Sequence, residues 1–141
     1  MPLSTALLMA AGLVIVAAVA GITWQARDGR RRRGGGTVDV RDLGVVPGRV
    51  ALVQFGTETC ARCPQVRRML RSVVATRSRI ELIEVDLTHR PDLARRYQVL
   101  TTPTTFLVGA DATVLARFHG APRRDHVEEA LAELPALQEA R

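Results

Sequence analysis

Residues 50–63 read VALVQFGTETCARC, and the order of residue types in this stretch decides the fold. Val50–Gly56 is a β-branched and apolar run with one glutamine, Gln54, which suits a buried strand. Thr57-Glu58-Thr59 leads to two cysteines, Cys60 and Cys63. From Cys60 to Arg77 the period changes. Val66, Met69, Leu70, Val73 and Val74 recur at spacings of three and four, while Arg67, Arg68 and Arg71 take the opposite face, which predicts an amphipathic helix. The stretch is therefore a strand, a cysteine pair at the junction, and a helix.

Working toward the C-terminus, Ile80–Asp86 (IELIEVD) alternates and reads as a second strand. Arg90–Tyr97 reads as a short helix with Pro91 in its first turn. Thr104–Val108 is a strand that begins just after Pro103. Gly109–Ala112 is a turn, and Thr113–His119 returns from it as the other arm of a hairpin that Gly120 ends. Arg123–Leu134 carries Val127, Ala130, Leu131 and Leu134 on one helical stripe, and Pro135 ends it. A short leading strand is expected at Thr37–Val40. Strands joined by helices imply parallel pairing with right-handed crossovers, and the hairpin adds antiparallel edges. The expected class is α/β, a mixed central sheet with helices on both faces. No internal repeat is present.

Upstream, Leu3–Trp24 is 22 residues without a charge. As a helix it extends about 33 Å, against a hydrocarbon core of roughly 30 Å. Trp24 at its end suits an interfacial aromatic. A core helix would need neighbouring elements to bury against. A cleaved signal peptide is the nearer rival, since Ala18-Val19-Ala20 resembles a small-residue cleavage site, but no Lys or Arg precedes the apolar run. The reading is a transmembrane anchor at 1–24, an Arg/Gly-rich juxtamembrane linker at 25–36 in which Gly34–Gly36 is flexible, and a folded domain at 37–141.

The net charge is +6, every one of the 20 basic residues is arginine, and the pI is near 11.1. A nucleic-acid reading would follow if that charge covered the domain. It does not: residues 25–36 carry a net of +4 and residues 37–141 only +2. The basic run lacks interleaved aromatics and adjoins an apolar span, so no nucleic-acid partner is expected. Arginines flanking the C-terminal end of the span predict a single-pass cell-membrane protein with a cytoplasmic domain, the alternative being an extracytoplasmic one. Arg30–Arg33 would lie against anionic headgroups, at about 1 kcal/mol per residue. An apolar share of 47% excludes a wholly disordered chain. Two cysteines exclude a disulfide-stapled scaffold and a four-thiolate zinc site.

The chemistry therefore rests on Cys60 and Cys63. Unpaired N–H groups and the macrodipole at a helix N-terminus stabilise a thiolate, and Arg62 adds a positive charge beside it. A spacing of three puts both sulfurs on one side of the first turn, where they can close into a disulfide. Cys60 is nearer the exposed end and Cys63 is deeper, which predicts that Cys60 attacks and Cys63 resolves. Inert packed thiols are one alternative. Half of a zinc site, completed by His89, His119 or His126, is another. The C-x-x-C spacing beside a strand–helix–strand pattern favours redox use, with no metal and no cofactor.

In these pieces the chain resembles the thioredoxin superfamily over residues 37–141. The resemblance lies in Phe55-Gly56-Thr57-Glu58-Thr59-Cys60-Ala61-Arg62-Cys63, Val85-Asp86, Val99-Leu100-Thr101-Thr102-Pro103-Thr104, and Gly120 after the hairpin. It implies a thioredoxin fold in which Pro103 is cis and faces the cysteines, and in which the Thr102 backbone pairs with a substrate peptide. It implies a thiol–disulfide oxidoreductase, here membrane-tethered, acting on disulfide-containing proteins and drawing on an electron donor or acceptor. The chain departs from the family at Ala61-Arg62, where thioredoxins carry Gly-Pro, at Thr59 for Trp, and at Gln54 for a buried Asp. A glutamine does not exchange a proton, so these departures motivate the alternative of a redox-inactive docking module for a membrane partner.

Overall fold

The computed structural model describes residues 3–135, so the last six residues of the expected domain lie outside the described residues. The elements run α1 (Leu3–Arg27), β1 (Arg31–Arg33), α2 (Val40–Leu43), β2 (Val50–Gly56), α3 (Cys63–Val74), β3 (Ile80–Asp86), α4 (Pro91–Arg96), β4 (Thr104–Val108), β5 (Val114–His119) and α5 (Arg124–Ala132). The five strands form one sheet in the order β1-β5-β4-β2-β3. Only β2 and β3 are parallel; the other neighbours pair antiparallel.

Period-two alternation along β2 divides the core. Ala51, Val53 and Phe55 join Phe106 and Val108 of β4 in one layer, under Leu93 and Tyr97. Leu52 joins Leu107, Ala116 and Phe118 in the other, where α3 contributes Val66, Leu70 and Val73 and α5 contributes Val127, Ala130 and Leu131. Gln54 shares the second face of β2 with Leu52. It therefore lies beneath α3, and that places its amide at the start of this helix, against Cys63.

Three of the differences from the sequence reading bear on the site and its surroundings. The helix expected from Cys60 starts at Cys63, because residues 57–63 form turns (Cys60 N–H to the Thr57 carbonyl, 3.1 Å; Cys63 N–H to the Cys60 carbonyl, 3.3 Å) and Pro64 occupies the first helical turn. The leading strand expected at Thr37–Val40 is reduced to one bridge, Thr37 to Thr113. Asp39 diverts the chain by capping α2, its side chain accepting from the Arg41 N–H at 2.9 Å, and Gly44 ends α2 at φ 70°. Lastly, the basic run expected as a linker is not loose throughout. Arg31–Arg33 forms the edge strand β1, with Arg31 opposite Phe118 and Arg33 opposite Ala116.

Helix α1 is 25 residues long, reaches a mean hydropathy of 2.5 over an 18-residue stretch, and buries none of its side chains against the rest of the chain. By length and composition it is able to cross a membrane, and its place near the N-terminus also suits a signal sequence.

Candidate active site

Register brings the candidate residues to one edge of the sheet. Gly56 ends β2 opposite Asp86, which ends β3. Phe55 pairs with Thr104, the first residue of β4, and Thr104 pairs with His119, the last of β5. The loops 57–62, 99–103 and 120–123 therefore leave from the same edge, which is where Cys60, Cys63, Thr102, Pro103 and Gly120 sit.

Cys60 and Cys63 are joined as a disulfide with their Cα atoms 5.5 Å apart, well within the range a disulfide spans. Their environments differ. Cys63 opens α3 and is 5% exposed. Cys60 precedes the helix and is half-buried. Gly56 lies against Cys63, and a Cβ there would stand 3.0 Å from the Cys63 sulfur. Gln54 donates from Nε2 to the Cys63 carbonyl at 3.0 Å, tying the first turn of α3 to the sheet. Its amide oxygen, Oε1, is buried and unpartnered among the described residues. Gln54 borders a cavity of about 260 Å³ that Cys63, Arg67, Glu84 and Asp86 also line.

The Thr102–Pro103 peptide bond is cis. The loop around it is pinned on both sides: the Gly120 N–H donates to the Pro103 carbonyl at 2.8 Å, and the Thr104 hydroxyl donates to the Thr101 carbonyl at 2.7 Å. Thr102 itself has no hydrogen-bond partner among the described residues.

Arg62 projects outward and pairs with Asp28, the first residue after α1. Asp28 and its neighbour Gly29, whose N–H donates to the His119 carbonyl at 2.6 Å, were not legible as site residues. They lie far from the cysteines in sequence and belong to a run whose composition reads as linker. The three histidines do not meet the cysteines in a ligand cluster. Among the described residues the one group with ligand spacing is Glu58, Asp86 and His89, all exposed. His89 Nε2 lies 3.2 Å from Glu58 Oε1 and 3.9 Å from Asp86 Oδ2. The Thr88 hydrogen bonds hold the Asp86 carboxyl below its ordinary value, with His89 adding to the effect.

A family model described as Thioredoxin matches residues 44–133. No curated protein matches the chain. Among solved structures, the chain is similar to thioredoxin-2, a component of malaria parasite protein secretion machinery: identity is 23%, the TM-score is 0.58, and the match covers 63% of this chain and 86% of that one. It is similar to mitochondrial thioredoxin 3 from Saccharomyces cerevisiae in its oxidised form, at 21% identity and a TM-score of 0.57 over 67% of this chain and 86% of that one. Fasciola hepatica thioredoxin matches at 21% identity and a TM-score of 0.56, with the same coverage. At these identities the likeness is one of fold.

Proposed function

The chain belongs to the thioredoxin family, and from that premise we propose that it is a membrane-tethered thiol–disulfide oxidoreductase acting on protein disulfides. Oxidoreductase chemistry of the Cys60–Cys63 pair is the family-level reading. The roles of the individual residues and the tether are the finer one. The observation that carries it is the asymmetry of the pair: Cys60 half-buried ahead of α3, Cys63 buried at its start, and the two within bonding reach.

In the reducing direction the Cys60 thiolate attacks one sulfur of a client disulfide. That S–S bond breaks as the Cys60–client bond forms, and the released client thiolate takes a proton from water. The Cys63 thiolate then attacks the Cys60 sulfur, closes the Cys60–Cys63 disulfide and expels the second client thiol. Two electrons pass from the chain to the client, and a dithiol donor restores the pair. Run in reverse, the same steps oxidise a client dithiol. Thr102 and Pro103 supply the edge on which the client backbone lies. Arg62 sets the charge beside Cys60, moderated by its pairing with Asp28.

Helix α1 supplies the tether. Its exposed apolar surface, from Leu3 to Trp24, suits lipid far better than water. The arginines that follow it favour a cytoplasmic domain, with an extracytoplasmic domain as the alternative, and a C-terminal reporter active on one side of the membrane separates the two.

The test of the chemistry is a Cys63→Ser variant of the full chain. It lacks the resolving thiol, so mixed disulfides between Cys60 and client proteins should accumulate and disappear on reduction. If none forms, and Cys60 titrates as an ordinary thiol near pKa 8.5, the redox reading fails and the docking-module reading takes its place.

A further inference from the structure

The segment after α1 returns to the sheet without slack. Asp28 pairs with Arg62, the Gly29 N–H binds the His119 carbonyl, and the Gly34 N–H binds the Leu115 carbonyl at 3.1 Å. Three glycines make this approach possible. A Cβ on Gly29, where φ is +70°, would overlap the Ala121 carbonyl, and one on Gly34 would overlap the Val114 carbonyl. One on Gly120, at φ +82°, would overlap the Asp28 carboxylate. The glycines here serve close packing rather than flexibility. As a result the last turns of α1 stand against the loop that carries the cis proline. Between them lies an open groove of about 520 Å³, with Thr23, Trp24, Arg27 and Asp28 on one wall and Thr101 and His119 on the other. Leu100, next to Thr101, is 92% exposed.

We propose that this groove receives a cysteine-bearing segment of an integral membrane protein, one whose redox cysteines lie within a few residues of its own membrane span. The proposal rests on the oxidoreductase reading and on α1 as a span, and it narrows the client class. A helix of 25 residues extends about 37 Å, more than the roughly 30 Å hydrocarbon core, so the turn from Trp24 to Arg27 sits at headgroup level. Asp28 follows at once, and Arg62 between the two cysteines is bound to it. The redox edge is thus held at the bilayer surface. One wall of the groove continues directly into the exposed apolar face of α1. A segment leaving the bilayer alongside α1 enters the groove, crosses the unpaired Thr102 backbone and presents its sulfur to Cys60, with Leu100 as an apolar contact at the rim. The exchange is the one written above: the client disulfide gains two electrons as Cys60 and Cys63 close their own.

The full chain, reduced and reconstituted in vesicles of phosphatidylcholine and phosphatidylglycerol, tests this with two single-span peptides on the same vesicle face. One carries a disulfide loop about four residues outside its span, the other about thirty residues outside on a Gly-Ser spacer. The near loop should be reduced about tenfold faster than the far one, because effective concentration falls steeply with spacer length. A flexible Gly-Ser insertion between Arg27 and Asp28 should bring the ratio toward one. Equal rates for the two loops on the unmodified chain overturn the proposal, provided a water-soluble peptide bearing the same disulfide loop is reduced. If none of the three peptides is reduced, the oxidoreductase reading itself falls, and this one with it.

Discussion

Two segments frame the redox edge, and they are held in opposite ways. Helix α3 presents Cys63 and is anchored by Val66, Leu70 and Val73, all at most 2% exposed. Each such side chain contributes about 1.5–3 kcal/mol by leaving water. The segment from Asp28 to Gly34 presents Asp28 to Arg62 and consists of aspartate, glycine and arginine alone. It is held by backbone hydrogen bonds, worth about 0.5–1.5 kcal/mol each, and by partly exposed ion pairs. Those pairs, Asp28 with Arg62 and Arg31 with Glu133, are worth about 0–1 kcal/mol each. The seat of the cysteines is thus part of the core, whereas the wall built from the anchor side is docked at the periphery by weaker contacts, so its opening should cost less than unfolding the core.

The comparison breaks most visibly at Leu70, which is fully buried beneath α3. Leu70→Ala should destabilise the whole domain by about 2–5 kcal/mol, read as a lower urea midpoint with the circular dichroism of sheet and helix lost together. A loss confined to α3 would show that this helix, too, is peripheral.

A smaller and more local effect is expected at Gly34→Val. The added side chain collides with the Val114 carbonyl, so β1 should detach. Hydrogen exchange at the Gly29 amide and at the amide of the substituted position should rise about tenfold or more, while protection in α3 stays as it was. Equal loss of protection in α3 would mean the two segments form one cooperative unit.

The smallest effect is electrostatic. Burial holds the His119 imidazole below its ordinary value of 6.5, and the positive charges of Arg32 and Arg117 push it in the same direction. The unfolded chain therefore takes up this proton at higher pH than the folded one. The contribution of His119 to stability is present above pH 6.5, falls as pH drops through 6.5, and levels off below the lowered folded value. His119→Gln should remove that part of the slope. Arg32 lies on β1, so Gly34→Val should also move the His119 titration, followed by NMR, back toward its ordinary value. An unmoved titration would show that β1 remains docked.

Much of the domain was legible because its information is local. Val50–Gly56, Ile80–Asp86 and Thr104–Val108 were delimited to the residue, since hydrophobic runs bounded by glycine, proline or aspartate determine strands over a few positions. The cysteine pair was legible from its spacing, whereas the cis bond before Pro103 was expected only from the family resemblance. The start of α3 was misjudged by three residues, because the turn that delays it depends on hydrogen bonds among residues 57–63 that leave no periodic trace.

By itself, then, the sequence determined the element order from β2 to α5, a cysteine pair at disulfide spacing, the unequal depth of its two members and an apolar segment long enough to span a bilayer. These follow from side-chain period, residue spacing and length. Only the tertiary structure decided that Gln54 grips the Cys63 carbonyl and that the arginine run is an edge strand rather than a linker. It likewise decided that Asp28 reaches Arg62 across the redox edge. An edge strand of arginines has no hydrophobic pattern to announce it. What stabilises it is the unpaired backbone of β5 and the room left by glycines that only the fold brings together.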